Sequence, residues 1–495
     1  MDRKRKARFF AGIEPATPSA PLICKPCEHF FAFGSPLPIY ARRVHDEATM
    51  NDTIAAISTP IGEGAIAVIR MSGPRAALVA DSVFLGKAKP SAFAPRTQYL
   101  GAVYDGKAKL DDALLTVFRG PHSYTGEDVV EIACHGGVLV TRRILELLLA
   151  RGARSAEPGE FTQRAFLNGK MDLTQAEAVM DLIRAQTDLA LRAAGEQLEG
   201  RLGECIDFLR VTIIELLANV EAYIDFPDED IRPDTGHRLI SKVEAVAAQT
   251  RGLLDTAMHG RVLREGLRTV IYGAPNVGKS SLLNLLLGYE RAIVSARPGT
   301  TRDVIEEVVS LRGYPVRLID TAGIRDSEDE IELAGMERTR RQVELADLVL
   351  RVVDGSAPRP PGGARRESWE EKSLLVLNKT DLGEHESWKS AEGVRISCLT
   401  KDGIDRLDDA IVDRITGGQA AQRHWSVAIN ARHQACLQTA YEHALAAREG
   451  LVDGRPPEFV AEDLRGALGA VGEIVGKVDS EEILGKIFST FCIGK

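Results

Sequence analysis

The stretch from Leu267 to Leu287 constrains this chain more than any other. Leu267–Tyr272 (LRTVIY) reads as an apolar strand. It runs into Gly273-Ala-Pro-Asn-Val-Gly-Lys-Ser280, and a helix is expected over Ser281–Leu287. The spacing GxxxxGK[ST] between a strand and a helix has a physical meaning. Glycines let a loop wrap phosphate closely, and successive backbone N–H groups with the helix N-terminus bind the anion. Lys279 reaches the outer phosphates and Ser280 offers its hydroxyl to Mg²⁺. Average residue usage yields such a motif by chance in roughly 2% of chains this long. The strand and helix around it lower that further.

Four more stretches follow in order, three of them at strand ends. The loop Ser295-Ala296-Arg297 leads into Pro298-Gly299-Thr300-Thr301-Arg-Asp303, which supplies a switch threonine. Asp320-Thr321-Ala322-Gly323 ends the apolar strand Pro315–Ile319, so Asp320 can hold the Mg²⁺ shell and the Gly323 N–H can meet a γ-phosphate. Asn378-Lys379-Thr-Asp381 ends the strand Leu374–Leu377. A carboxylate there accepts both guanine N–H groups, which adenine does not offer. Ser397-Cys398-Leu399 follows Val394–Ile396, where a backbone amide meets guanine O6. With Asn276, Val277, Gly278 and Ser281 of the phosphate loop, these stretches read as one GTPase site. Many such enzymes carry a Gln after the DTAG stretch to orient the attacking water. Here that position is Ile324, so the water must be held by another group, and Asp326, Glu328, Asp329, Glu330 and Glu332 follow it. No arginine finger is identifiable. Asn276, with backbone of the 295–300 loop, is suited to hold a monovalent cation in its place.

The flanks suggest what surrounds this unit. A chain of 495 residues implies two to four domains. Residues 53 to about 165 read as one α+β domain, with strands at Ala65–Met71, Leu114–Phe118 and Val129–Cys134 and an apolar helix at Thr141–Ala150. Then the period changes. Leu198, Leu202, Ile206, Leu209, Ile213, Leu216, Val220 and Ile224 form one stripe of helical spacing, and a second pattern runs from Leu239 to Leu254, stopping near Gly266. After Gly417-Gly418 the chain is helical again, through Ala431–Arg448, Phe459–Val478 and Glu481–Phe491. Long amphipathic stripes need partners, so the economical arrangement is one discontinuous helical domain (168–265 and 417–495) into which the α/β domain (266–416) is inserted, behind an N-terminal domain at 50–167.

Residues 1–49 differ from the rest. They carry eight basic against five acidic residues and Pro15, Pro18, Pro21, Pro26, Pro36 and Pro38. They read as a disordered extension, or as a stretch upstream of a true start at Met50. No apolar core follows the basic start, against a secretory signal, and the prolines oppose an amphipathic transit helix. Cys24 and Cys27 form a lone CxxC without a second pair. Seven scattered cysteines make no disulfide framework, which favours a reducing compartment such as the cytoplasm. No apolar run approaches 18 residues, so no membrane span is expected. The net charge of −9 excludes coating of nucleic acid by bulk charge, and the remainder is more acidic still without the first 49 residues.

Several stretches outside the nucleotide site carry a family resemblance: Gly126-Glu-Asp-Val-Val-Glu131, His135-Gly-Gly137, Pro158-Gly-Glu-Phe161, Arg164-Ala-Phe-Leu-Asn168, Ile224-Asp-Phe-Pro-Asp228 and the terminal Phe491-Cys-Ile-Gly-Lys495. With the GTPase set, they make residues 51–495 resemble the MnmE (TrmE) family of tRNA-modification GTPases, within the TrmE-Era-EngA-YihA-Septin-like superfamily. The resemblance implies a multidomain fold: an α+β folate-binding N-terminal domain, a discontinuous α-helical domain and an inserted α/β Ras-like domain. It implies a homodimer joined through the N-terminal domains. A heterotetrameric or larger complex with the FAD-dependent protein MnmG (GidA) would modify C5 of the wobble uridine in certain tRNAs. The group added would be aminomethyl or carboxymethylaminomethyl, with a one-carbon unit from a tetrahydrofolate derivative in its 5-formyl or methylene form.

Carried over residue by residue, the resemblance gives Ser280 and Thr301 to Mg²⁺, and Asn276, Ser295, Arg297 and Thr300 to a K⁺ that replaces the arginine finger when two G domains meet. Glu332 matches the carboxylate that positions the attacking water, and Arg325 a nearby switch residue. Folate contacts would fall on Arg70, Glu131, Lys170 and Lys495, basic groups for the glutamate tail and a carboxylate for the pterin edge. Cys492 would take part in the modification, as nucleophile, acid or structural thiol. Cys398 and Val277 depart from the family pattern, where Ala is usual, but both serve through backbone.

Three rival readings are weaker. Cys492-Ile-Gly-Lys495 has the spacing of a prenylation site, but Lys is a poor final residue. A ribosome-assembly GTPase of the Era or Der type would bring a KH domain or a second G domain, and neither is evident. A folate-dependent aminomethyltransferase with an accessory nucleotide site would need neither the full switch set nor the Cys492 tail.

Overall fold

The computed structural model describes residues 52–225, 237–288, 292–293, 307–319, 341–360, 369–417, 427–477 and 481–495. All of them fall in one compact unit, residues 47–495.

The first sheet has seven strands: β1 (Ile54–Ile57), β2 (Gly64–Ser72), β3 (Phe84–Gly86), β4 (Gln98–Asp105), β5 (Ala108–Phe118), β6 (Val129–Gly136) and β7 (Arg154–Ser155). Their order is β3-β4-β5-β6-β2-β1-β7, antiparallel except for the β1–β7 pair. Alternation decides its faces. Ile69 and Met71 of β2, Leu115 and Val117 of β5, and Val130 and Ile132 of β6 are buried against helices α1 (Ala76–Asp81) and α2 (Val138–Ala150). The strands predicted at 65–71, 114–118 and 129–134 are present, each somewhat longer.

Helix α3 (Glu160–Leu167) leaves this domain, and α4 (Leu173–Arg184), α5 (Asp188–Leu198) and α6 (Arg201–Asp225) follow. Asp172 opens α4 with a reciprocal capping box: its side chain accepts from Gln175 N, and Gln175 Oε1 accepts from Asp172 N. The predicted single stripe from Leu198 needs correction. Leu198 ends α5, and Gly200 at φ +96° breaks the helix before α6 begins. From Leu202 the stripe holds: Leu202, Ile206, Leu209, Ile213, Leu216 and Val220 are all buried. Burial of each is worth roughly 1.5–3 kcal/mol over exposure.

The second helical pattern is likewise two helices, α7 (His237–Leu254) and α8 (Ala257–Glu265), broken at Asp255-Thr256 where Thr256 Oγ1 donates to the Leu253 carbonyl.

The second sheet contains β8 (Leu267–Tyr272), β9 (Ala292–Ile293), β10 (Glu307–Leu311), β11 (Tyr314–Ile319), β12 (Leu348–Asp354), β13 (Ser373–Asn378) and β14 (Val394–Arg395), in the order β14-β13-β12-β8-β11-β10-β9. The five strands from β14 to β11 are parallel, and β10 and β9 add an antiparallel edge. One face packs on α9 (Lys279–Leu286), α10 (Ile404–Thr416) and α8; the other holds Val270, Ile319, Val343, Val349 and Trp369. Burial on both faces is why β8 and β12 read as nearly continuous apolar runs.

Helices α11 (Ala431–Val452), α12 (Pro457–Ile474) and α13 (Glu481–Phe488) close the chain. Leu437, Ala440, Ala444 and Ala447 of α11 and Val460, Leu464 and Val471 of α12 share one core with α6 and α7. The helical domain is therefore discontinuous, with the α/β unit inserted between its halves. Among the described residues no helix is long and apolar enough to cross a membrane.

Candidate functional site

β8 delivers the chain into the phosphate loop at the carboxyl end of the parallel sheet. Asn276 sits at φ +62° and Gly278 at φ +100°, where α9 begins. These left-handed turns fold the loop so that it leads directly into the helix N-terminus. Val277 points its side chain into the core and leaves its carbonyl on the loop. Lys279 Nζ reaches back across the loop to the Ala274 carbonyl at 2.8 Å, and its partial burial lowers its pKa. Ser280 and Ser281 stand in the first turn of α9.

The base loop is locked onto the phosphate loop. Buried Asn378 donates from Nδ2 to the Val277 carbonyl at 2.9 Å and accepts the Cys398 N–H on Oδ1 at 3.0 Å. One side chain thus joins three of the segments named from the sequence. Gly278 has to be glycine partly for this reason, since a Cβ there would run into the Asn378 amide. Asp381 Oδ1 accepts from Ser397 Oγ at 2.6 Å, and Ser397 Oγ accepts in turn from Thr400 N at 3.1 Å. The Asp381 carboxylate is so held in one orientation. Burial pushes the Cys398 thiol up to about 11, and the Cys398 backbone N–H is engaged by Asn378. Leu399 is exposed.

Ser295, Ala296, Arg297, Pro298, Gly299, Thr300, Thr301, Asp320, Thr321, Ala322, Gly323, Arg325 and Glu332 lie outside the described residues, as do Ile324 and the Cys24–Cys27 pair. Of the residues expected to hold cations, Asn276 and Ser280 are described. Asn276 stands on the phosphate loop and Ser280 in the helix turn that follows it.

A second group of predicted residues gathers on the first sheet. Arg70 and Glu131 are register partners on β2 and β6. Arg70 Nε donates to Glu131 Oε1 at 2.9 Å, with Nη2 at 2.8 Å from the same oxygen. The guanidinium lies 5.5 Å from the Tyr124 ring centroid and 5.8 Å from that of Phe161. Lys170 Nζ donates to the Pro121 carbonyl at 2.9 Å, on the loop that carries Tyr124.

The C-terminal tail is pinned to the same domain. Ile493 forms a bridge with Pro158, Gly159 N donates to the Cys492 carbonyl at 3.4 Å, and Ser58 Oγ donates to the Gly494 carbonyl at 3.2 Å. The Lys495 N–H turns back to the Cys492 carbonyl at 3.3 Å. Ser58 follows the end of β1, whose residue Ala56 pairs with Arg70. A cleft of about 270 Å³, lined by Ile57, Thr59, Ile61, Gly64, Gly136 and Thr141, lies where Gly64 of β2 pairs with Gly136 of β6. The thiol of Cys492 is exposed.

Sequence reasoning did not find what holds these loops together. Buried Arg164 donates to Asp52 Oδ1 at 2.5 Å, Glu160 Oε1 at 2.9 Å and Glu127 Oε1 at 3.2 Å. Burial opposes ionisation of Glu160, but Arg154, the Glu157 N–H and Arg164 outweigh it and hold its carboxyl below the usual range. Glu127, Glu160 and Arg164 each belong to a different stretch noted in the sequence, and that separation was the available signal.

Comparison with known proteins agrees with this layout. The family model for the GTP-binding protein TrmE N-terminus matches residues 53–170, and the model for the MnmE helical domain matches residues 173–492. The tRNA modification GTPase MnmE of Akkermansia muciniphila is 52% identical over 455 residues, covering 90% of this chain and 99% of the relative. Its counterparts in Natranaerobius thermophilus and Geobacillus thermodenitrificans are 46% and 47% identical, each with 90% of this chain and 99% of the relative covered.

Proposed function

Because the chain belongs to the MnmE family of tRNA modification GTPases, we propose that it hydrolyses GTP to serve a modification at C5 of the wobble uridine of certain tRNAs in the cytoplasm. It does so as a homodimer, joined through the N-terminal domains. Its partner is the FAD-dependent protein MnmG, in a heterotetrameric or larger complex. The group added is aminomethyl or carboxymethylaminomethyl, and a tetrahydrofolate derivative supplies the one-carbon unit.

The observation that carries this reading is the meeting of two ends of the chain. The tail with Cys492 is fastened at Pro158, Gly159 and Ser58, one strand from the Arg70–Glu131 pair. An accessory nucleotide domain on a plain folate enzyme would not require its last residues there. Arg70, Lys170 and Lys495 suit the carboxylates of a folate tail, and Glu131 suits the pterin N–H edge. Glu131 already accepts from Arg70, so the pair enters the folate site as one oriented unit.

In the nucleotide site, Asp381 selects guanine on a loop that Asn378 holds, a backbone amide of the 397–399 stretch meets the guanine oxygen, and the phosphate loop with Lys279 binds the phosphates. A water attacks the γ-phosphorus, the bond to the bridging β-oxygen breaks, and GDP and phosphate leave. Glu332, assisted by Arg325, positions that water. Ser280 and Thr301 would hold Mg²⁺, and Asn276, Ser295, Arg297 and Thr300 would hold K⁺; when bound, these cations would neutralise charge that develops on the phosphates. An acidic chain that does not coat RNA by charge fits a tRNA shared with the partner.

Nucleoside mass spectrometry of tRNA from a strain lacking this protein tests the reading. Loss of the modified wobble uridine, restored by the wild-type chain, is expected; unchanged modification would refute it. GTP turnover in K⁺ against Na⁺ tests the cation site separately, and equal rates would sink it.

A further inference from the structure

Strands β12 and β13 run parallel and end together, with Asp354 opposite Asn378. The Gly355 N–H donates to the Asn378 carbonyl at 2.8 Å, so the turn after β12 wraps the start of the base loop. Asp354 divides its two oxygens. Oδ1 accepts from Ser356 N at 3.0 Å and Ser356 Oγ at 2.6 Å, which builds the turn. Oδ2 accepts from Lys379 Nζ at 2.7 Å. Lys379 itself sits at φ +65°, a conformation L residues rarely adopt. That backbone sends its side chain back over β12 and onto the carboxylate. Burial opposes ionisation of Asp354, but the Lys379 ammonium and the Ser356 donors prevail and keep the carboxyl below its ordinary range.

Lys379 lies between Asn378, which ties the loop down, and Asp381, which reads the guanine edge. Its four methylenes offer this loop an apolar stem on which a flat base can lie, while its charge must be satisfied elsewhere. We infer that Asp354 is a positioning residue of the base site: by pairing with the Lys379 ammonium it fixes the lysine stem along the guanine face, and so sets how long GDP and GTP stay bound. This rests on the GTP reading of the same site. Asp354 touches neither the nucleotide nor the reacting phosphate. It binds ground state and transition state alike, through the lysine, and its loss should therefore appear in binding and not in the chemical step.

Asp354→Asn in the full chain separates these effects, because Asn Oδ1 still accepts from Ser356 while the charge facing Lys379 is gone. Release of a fluorescent GDP analogue and of its GTP counterpart is followed by stopped flow, alongside steady-state GTP turnover. Release of both is expected to quicken about tenfold, with KM raised by a similar factor and kcat held within about twofold. Asp354→Glu should restore most of the slow release. In the Asp354→Asn, Lys379→Ala double variant, release should match Lys379→Ala alone. Wild-type release rates in Asp354→Asn beside fast release in Lys379→Ala would overturn the inference, as would additive effects in the double variant. Asp354→Ser, which also keeps the turn, gives the same reading should the Asn variant fold poorly. A wild-type chain that binds neither analogue would instead sink the GTP site itself.

Discussion

Arg264 donates from Nη2 to Asp181 Oδ2 at 2.5 Å, tying the last turn before the phosphate-loop strand to helix α4. Asp181 has company on the same helix. Four residues earlier, Glu177 accepts from Arg432 Nε and Nη2, both at 3.0 Å, and meets His433 Nε2 at 2.6 Å. Three residues later, Arg184 donates to the Thr490 carbonyl at 2.7 Å. Positions 177, 181 and 184 share one helix face. One face of α4 therefore holds the segment entering the inserted domain, the segment that follows it and the tail that carries Cys492.

The two partners at the entry point are not equivalent, and removing each should cost differently. Burial and the neighbouring Glu177 push the Asp181 carboxyl upward in spite of Arg264. Arg264→Met leaves that carboxylate partly buried beside a second acid and is expected to cost about 2 kcal/mol. Asp181→Asn should cost less than half as much, and the double variant should lie nearer to it than to the sum. Urea midpoints of the four chains, read as a double-mutant cycle, check this; additive costs would show that the pair does not couple.

Acid should unfold the junction through a different group. Burial lowers His259 to about 4, and its Nδ1 lies 3.3 Å from the Tyr314 hydroxyl. The folded chain keeps this imidazole neutral, whereas the unfolded chain takes a proton near pH 6.5. Its contribution is complete above about pH 6.5 and is lost as pH falls toward 4, for a total of about 3 kcal/mol. His433, driven down by burial, has the same sign. Glu177 acts in a lower window. Burial opposes its charge, but His433 and Arg432 hold it ionised, so its share is lost only below the ordinary carboxylate pKa. His259→Gln should flatten the fall in stability between pH 6.5 and 4.5 without removing it. An unchanged slope would mean that His259 titrates as freely folded as unfolded.

What could be read in advance, and what could not, follows from the range of each signal. The phosphate loop is contiguous, so strand, glycines, lysine and helix all lie in one window. The stripe from Leu202 to Val220 is also local, and every member is buried. Leu198 fits the same spacing yet belongs to another helix, because periodicity registers side chains and not the φ of Gly200. Arg70 and Glu131 are 61 residues apart and became partners through register. Asp354 carries no sequence signal for the same reason: an acid at a strand end is common, and only the alignment of β12 with β13 puts it opposite Asn378.

Gly278→Ala tests the joint between the phosphate and base loops. The residue stands at φ +100°, where a Cβ is strained, and that Cβ would displace the Asn378 amide. Losing the Asn378 bond to the Val277 carbonyl loosens both loops together. GDP and GTP binding should weaken by about a hundredfold or more, with far-UV dichroism unchanged. Binding within a few-fold of wild type would mean that Asn378 can shift without consequence, and that the joint is not what shapes the site.

The environments of the cysteines predict an order of reaction that bears on the proposed folate site. Cys134 is buried and its thiol is pushed up to about 11; burial does the same to Cys398, and also raises Cys436. Thiols so placed react slowly at neutral pH, because the thiolate is the nucleophile. Cys492 is exposed, on a tail held by backbone bonds from Gly159 and by Ser58. Peptide mapping after brief maleimide treatment at pH 7.5 should therefore find Cys492 modified before Cys134, Cys398 and Cys436. If the residues around the Arg70–Glu131 pair take folate as proposed, saturating 5-formyltetrahydrofolate should slow the labelling of Cys492 several-fold and leave the slower cysteines unaffected. Equal labelling with and without the folate would separate the tail from those residues. Labelling of Cys134 ahead of Cys492 would mean that the first sheet opens in solution, since no other route exposes a thiol packed among Ile69, Ile132 and Ile144.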